Sequence, residues 1–143
     1  MALLFEFAAI FCAGLFAGAA VYITLVEHPA RMECGTALAV TEFGPSYRRG
    51  TIIQASLAAI AFLSATGAWL ENSRPMWLAG ALLIVAVIPF TLIVILPTNK
   101  RLLDPALDRS GSLAQQLLTR WGRLHAVRTV LSLAALVSFL LAR

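Results

Sequence analysis

A chain of 143 residues that is 60% hydrophobic and 13% charged is excluded from the ordinary soluble domains, where those shares are about 45–50% and 25%. The length leaves room for one unit and no second domain. The net charge of +4 does not point to nucleic acid, because the basic residues stand beside apolar segments, where they orient helices and meet anionic membrane lipid.

Four apolar stretches, at about 2–26, 51–70, 76–96 and 124–142, are each about long enough to cross a hydrocarbon core. The fold class expected is therefore all-α, an integral-membrane antiparallel four-helix bundle. The first stretch ends in small residues near Gly18, Ala19 and Ala20, as a signal peptide would, but it lacks a basic n-region and is too long, so it reads as a retained span. Phe11 before Cys12 argues against a lipoprotein site. Cys12 within the span and Cys34 in the following connection suggest neither a disulfide nor a redox pair. Gly14 and Gly18 form a GxxxG pair, read as close packing within the monomer in preference to a dimer contact. If the helix stays regular up to Pro29, Gly14, Gly18, Val21, Leu25 and His28 share one face. Glu6, near the outer end, reaches headgroup water.

The connection from Pro29 to Gly50 contains Met32, Leu38, Val40 and Phe43, which suit a short interfacial helix acting as a lid. Beyond it Tyr47, Thr51 and Gln54 fall on one helical stripe. Glu71-Asn-Ser-Arg-Pro75 is a polar turn, so spans two and three should form a tight hairpin. In span three Pro89 frees the carbonyl of Val85 and should kink the helix, and Pro97 frees that of Ile93. Asn99, just beyond, either presents a fixed polar group beneath the lid or simply follows the helix end. Ser112-Leu-Ala-Gln115 has the capping-box pattern, and Leu113, Leu117, Trp121, Leu124 and Arg128 recur at helical spacing. The fourth helix should begin near Leu113, project about three turns into the cytoplasm and measure on the order of 45 Å. Trp121, His125, Arg128 and Ser132 lie on one of its stripes.

Lysine and arginine divide unequally between the two sides. The connections after spans one and three carry Arg31, Arg48, Arg49, Lys100, Arg101, Arg109, Arg120 and Arg123, whereas the opposite side has only Arg74 and Arg143. Both long connections are then cytoplasmic and both termini are outside.

Nearly every group capable of chemistry (Glu27, His28, Tyr47, Arg48, Arg49, Gln54, Asn99, His125, Arg128) falls at that cytoplasmic end, which points to one site. Arg128 lies about one turn inside span four, where a charge costs up to roughly 2.5–3.5 kcal/mol unless it snorkels or is paired. Glu27 is the natural counter-ion, and an anionic substrate oxygen is the functional alternative. Glu27, His28 and His125 together are enough to ligate a metal, although adjacent side chains at 27 and 28 point about 100° apart on a helix. No dinucleotide fingerprint or phosphate loop is present.

A Gly/Ala-rich first helix ending in His28-Pro29, the stretch Pro97-Thr-Asn-Lys-Arg-Leu102 and the stretch Trp121-Gly-Arg-Leu-His-Ala-Val-Arg128 resemble the anthrone oxygenase-like family of small four-span proteins. The resemblance covers essentially the whole chain. It implies a bacterial inner-membrane protein that oxidises an anthrone or another hydrophobic aromatic molecule with dioxygen as co-substrate and no flavin, haem or metal. An anthrone has an acidic carbon-bound proton, so such chemistry needs a base and an oxyanion partner. His125 is the expected base, because an imidazole titrates near neutral pH. Arg128 is the expected oxyanion partner with Asn99 as a second donor, while Trp121, Tyr47, Gln54 and His28 would hold the substrate. Two other classes fit the residues: a membrane protein that binds a lipid, a quinone, a metal or a partner subunit without turnover, and a small transporter.

Overall fold

In hydrocarbon a backbone can close its hydrogen bonds only within itself or across a closed barrel. This chain does so as helices, and the computed structural model describes residues 1–143 with no strand. Four helices are long and apolar enough to span a membrane: α1 (Ala2–Glu33), α2 (Thr36–Asn72), α3 (Pro75–Leu102) and α4 (Ser112–Leu141). Each packs against the next, and α4 closes the ring against α1. The result is an up-down-up-down antiparallel bundle.

Small residues set the packing of its lower half, the half that holds both termini. Ala9, Ala13, Ala17 and Ala20 of α1 and Ala58, Ala61, Ala65 and Ala68 of α2 are all buried, so these two backbones approach along an alanine seam. Gly14 and Gly18 are not that seam. The Cβ position of Gly18 is open, and that of Gly14 meets only the Leu136 side chain at 4.0 Å. Between α3 and α4 the close approach is at Gly80, where an added Cβ would run into the Phe139 ring and lie 3.1 Å from the Ala135 carbonyl oxygen. Gly80→Ala should therefore destabilise the fold by about 1–3 kcal/mol through overpacking. Thermal unfolding in detergent checks it, with Gly18→Ala as the comparison that loses no stability.

The upper half departs from the sequence reading. The connection from Pro29 to Gly50 is not a loop with a lid. α1 continues to Glu33 and α2 begins at Thr36, so a single sharp turn at Cys34-Gly35 joins two long helices. Gly35 has φ 93°, a conformation that glycine adopts without strain. Pro29 of α1 and Pro97 of α3 are absorbed in a similar way, while Pro89 stands within the α-helical part of α3. Each of these helices widens into a π turn, at Ile23–Glu27 and at Thr91–Ile95, and in each the π turn ends two residues before a proline, Pro29 or Pro97. A proline lacks the N–H and crowds the carbonyl four residues back, and the wider turn relieves that conflict without ending the helix. Helix α3 accordingly runs on past Pro97 to Leu102.

Two other expectations hold in part. The 71–75 segment is the tight hairpin turn, closed by Ser73 in the left-handed region at φ 56°. Helix α4 starts at Ser112, but its N-cap is Gly111 and no side chain caps it, so the capping box does not form. Glu6 does more than reach for headgroup water, since it accepts a hydrogen bond from Asn72 Nδ2 at 3.1 Å.

Candidate functional site

A second buried core, with Val40, Phe43, Ile95, Leu118 and Trp121, fills the upper end of the bundle. Between it and the alanine-rich core lies a cavity of about 550 Å³, walled by α1, α2 and α4. That volume is typical of a small-molecule site. Its rim between α1 and α2 includes Tyr22, 56% exposed, and Ile53, 60% exposed, so the cavity opens sideways where the bundle faces lipid.

Helix α4 contributes Trp121, His125 and Arg128 to the wall, and α2 contributes Tyr47, Thr51 and Gln54. Both sets follow the helical stripes read from the sequence. The His125 ring is 2% exposed and stacks on the Trp121 ring, with centroids 4.8 Å apart and planes 26° apart. Phe43 meets the same indole edge-on at 5.4 Å and stacks with Tyr47 at 5.7 Å. The cavity thus has flat aromatic walls beside one imidazole.

Arg128 faces inward, but Glu27 is not its counter-ion. Its guanidinium donates to Gln54 Oε1 at 2.6 Å and lies 5.6 Å from the centroid of the Phe16 ring, and neither ion pair in the chain involves it. Its Nε is buried and unpartnered. A guanidinium held by a neutral amide keeps its charge available to an anion in the cavity.

Glu27 is engaged elsewhere. Thr24, Glu27 and Arg31 follow Ala20 at helical spacing and continue the buried face of α1 that runs through Ala9, Ala13, Phe16 and Ala20, a face that lies away from the Gly14–Gly18 stripe. Arg31 is only 6% exposed and pairs with Glu27 and, at 2.8 Å from Nε to Oε2, with Glu42 of α2. Ser46 donates to Glu27 Oε1 at 2.8 Å, and the Arg31 guanidinium carbon sits 5.6 Å from the Trp121 ring centroid. This network ties the upper ends of α1 and α2 together at the cavity wall.

His125 is tied by hydroxyls. Thr24 Oγ1 lies 3.1 Å from His125 Nδ1 and 2.8 Å from Thr129 Oγ1, and Thr129 Oγ1 is 3.2 Å from the carbonyl oxygen of Ala20. Ser132 donates to the Thr129 carbonyl at 2.9 Å and so serves the backbone of α4.

Two expected site residues lie outside the cavity. His28 sits behind Trp121, with ring centroids 5.2 Å apart, and packs so closely on Gly122 that a Cβ there would meet its Nε2. Asn99 is 1% exposed in the upper core and its Oδ1 has no partner, but it does not line the cavity. Glu27, His28 and His125 consequently form no ligand set, and no group of three His, Cys, Asp or Glu side chains is placed to hold a metal. Conversely, Thr24, Arg31, Glu42 and Thr129 were missed as site residues. The spacings of Thr129, four after His125, and of Arg31, four after Glu27, carry a signal along one helix, whereas the contacts of Thr24 and Glu42 depend on pairing across helices.

No curated protein and no solved structure matches the chain. A family model described as anthrone oxygenase matches residues 43–138, a stretch that includes Tyr47, Gln54, Trp121, His125 and Arg128, and the chain belongs to that family.

Proposed function

We propose that the protein is a membrane-embedded oxygenase that takes a flat, hydrophobic aromatic ketone such as an anthrone from the bilayer and oxidises it with dioxygen, His125 acting as base and Arg128 as oxyanion partner. One observation carries this reading: an imidazole and a guanidinium without a carboxylate partner line the same aromatic cavity, which opens toward lipid.

In this reading the substrate slides between Tyr22 and Ile53 and lies against Trp121. His125 takes a proton from the ring carbon opposite the carbonyl, and the electron pair left behind moves onto the carbonyl oxygen, which becomes a phenolate-like anion beside Arg128. That anion passes one electron to dioxygen, and the resulting radical pair combines to form a carbon–oxygen bond. Protonation of the peroxide by His125, loss of the second carbon-bound hydrogen and cleavage of the O–O bond release water and leave a second carbonyl. Overall, one CH₂ and one O₂ become one C=O and one H₂O, with both electron pairs drawn from the substrate.

The test is purified protein in lipid nanodiscs supplied with an anthrone, followed by quinone absorbance and by oxygen uptake. Faster quinone formation than in empty nanodiscs, with one oxygen consumed per quinone, supports the reading. Saturable ligand binding without turnover would replace it with a binding role, for a lipid, quinone or partner subunit.

The membrane placement proposed is with both termini outside, from the excess of basic residues at the opposite end. Cys34 is exposed at the α1–α2 turn and Cys12 is buried, so the native protein carries its own reporter. An impermeant thiol reagent should label Cys34 in opened membranes but not in intact cells, whereas Ser73→Cys should be labelled in both. Labelling of Cys34 from outside would reverse the orientation.

A further inference from the structure

A hydroxyl pair at the helix interface dictates which nitrogen of His125 is free. Thr24 on α1 and Thr129 on α4 bridge the two helices beside the imidazole, and Thr129 is 7% exposed. The chain of contacts ends at backbone carbonyls: Thr129 Oγ1 lies 3.2 Å from Ala20 O and 3.3 Å from His125 O. A carbonyl can only accept, so the single Thr129 hydrogen is spent there. Thr129 must then accept from Thr24, whose single hydrogen is spent in turn. Thr24 Oγ1 has only an accepting role left toward His125, and the Nδ1 of the ring must be the donor.

We infer that Thr24 and Thr129 are positioning residues that fix neutral His125 as the Nδ1–H tautomer and so leave the Nε2 lone pair as the basic atom presented to the cavity. His125 Nε2 has no hydrogen-bond partner within the protein, and the ring itself lines the cavity wall. A histidine side chain in water favours the Nε2–H tautomer, so the hydroxyl pair makes a difference that solvent would not. The same pair also fixes the ring plane against Trp121. The arrangement is a neutral counterpart of the orienting group that stands behind a catalytic histidine in other sites, with an uncharged acceptor in place of a carboxylate. An uncharged acceptor orients the ring without stabilising an imidazolium, which suits a base that must give its proton back to the peroxide.

The tautomer statement stands on hydrogen-bond geometry alone, while its catalytic consequence rests on the proposed oxygenase reading. Nitrogen NMR of ¹⁵N-histidine-labelled protein separates the two. His125 signals are assigned by their loss in His125→Gln, with His28 the only other histidine. The wild type is expected to show a protonated Nδ1 and an unprotonated Nε2 in the neutral ring. Thr129→Val frees the Thr24 hydrogen to point at Nδ1 and should convert the ring to Nε2–H. Thr24→Val removes the acceptor and should shift it in the same direction, and Thr24→Ser should restore the wild-type pattern. An Nε2–H ring in the wild type, or a pattern unmoved by both valine variants, overturns the inference. In turnover, Thr24→Val should lower kcat about tenfold or more with little change in KM, again with rescue by serine. If the wild type turns over no anthrone, the oxygenase reading fails and the nitrogen spectra still decide the tautomer.

Discussion

His125→Gln should lower anthrone turnover by about 10²–10⁴-fold, the range that a positioned base contributes, while the protein still inserts and unfolds at nearly the same temperature. Glutamine is chosen because it keeps a polar group beside Thr24, whose hydroxyl lies 3.1 Å from the imidazole and would be stranded by an apolar replacement. Bound substrate analogue should be retained, since the aromatic wall of Trp121, Phe43 and Tyr47 remains in place. The measurement pairs quinone formation with ligand retention in the same preparation. Turnover within a few-fold of wild type would remove His125 as the base.

Changes at Arg128 separate a catalytic charge from a structural one. Arg128→Lys should cost about 10²–10³-fold in turnover, comparable to the loss of an oxyanion donor elsewhere, because a point charge does not reproduce the guanidinium fork. Gln54→Glu is the sharper variant. Gln54 Oε1 already accepts from Arg128 at 2.6 Å, so a carboxylate there gives the arginine the anionic partner it lacks. That substitution should leave thermal stability unchanged or raised, since it pairs a buried charge, and should suppress turnover as strongly as Arg128→Lys because the new carboxylate competes with the substrate oxyanion. A purely structural Arg128 predicts the same stability for Gln54→Glu but turnover intact. Thermal unfolding and turnover measured on the same variants distinguish the two.

Periodicity made a large part of the site legible. Trp121, His125 and Arg128 on one helix and Tyr47, Thr51 and Gln54 on another face one cavity because a rigid helix fixes the relative direction of residues three or four apart. The same reasoning failed where the wrong face of a helix was taken as the buried one or a helix end was misplaced. On α1 the stripe through Gly14, Gly18, Leu25 and His28 is not the buried one, because Ala9, Ala13, Phe16 and Ala20 face the bundle, and the expectation of His28 in the cavity fails with that choice of face. Thr24, Glu27 and Arg31 continue the buried face at helical spacing, and Glu27 pairs with Arg31, four residues on, in place of Arg128. Asn99, just beyond Pro97, is read from the sequence as a polar group beneath a lid, with a helix end there as the alternative. A π turn carries α3 through that proline, and Asn99 is buried in the upper core.

The sequence by itself determined the membrane-spanning class, the four helices, the hairpin at 71–75 and the family, because each depends on local composition, on spacing along one helix or on short motifs. Only the tertiary structure decided which polar groups meet. Pairing across helices depends on the rotation of each helix about its axis, and one extra residue in a turn changes that rotation by about 100°. The Arg31 pair with Glu42, the neutral Gln54 partner of Arg128 and the link from Thr24 to His125 and Thr129 all follow from that rotation. None of them has a signature along a single helix.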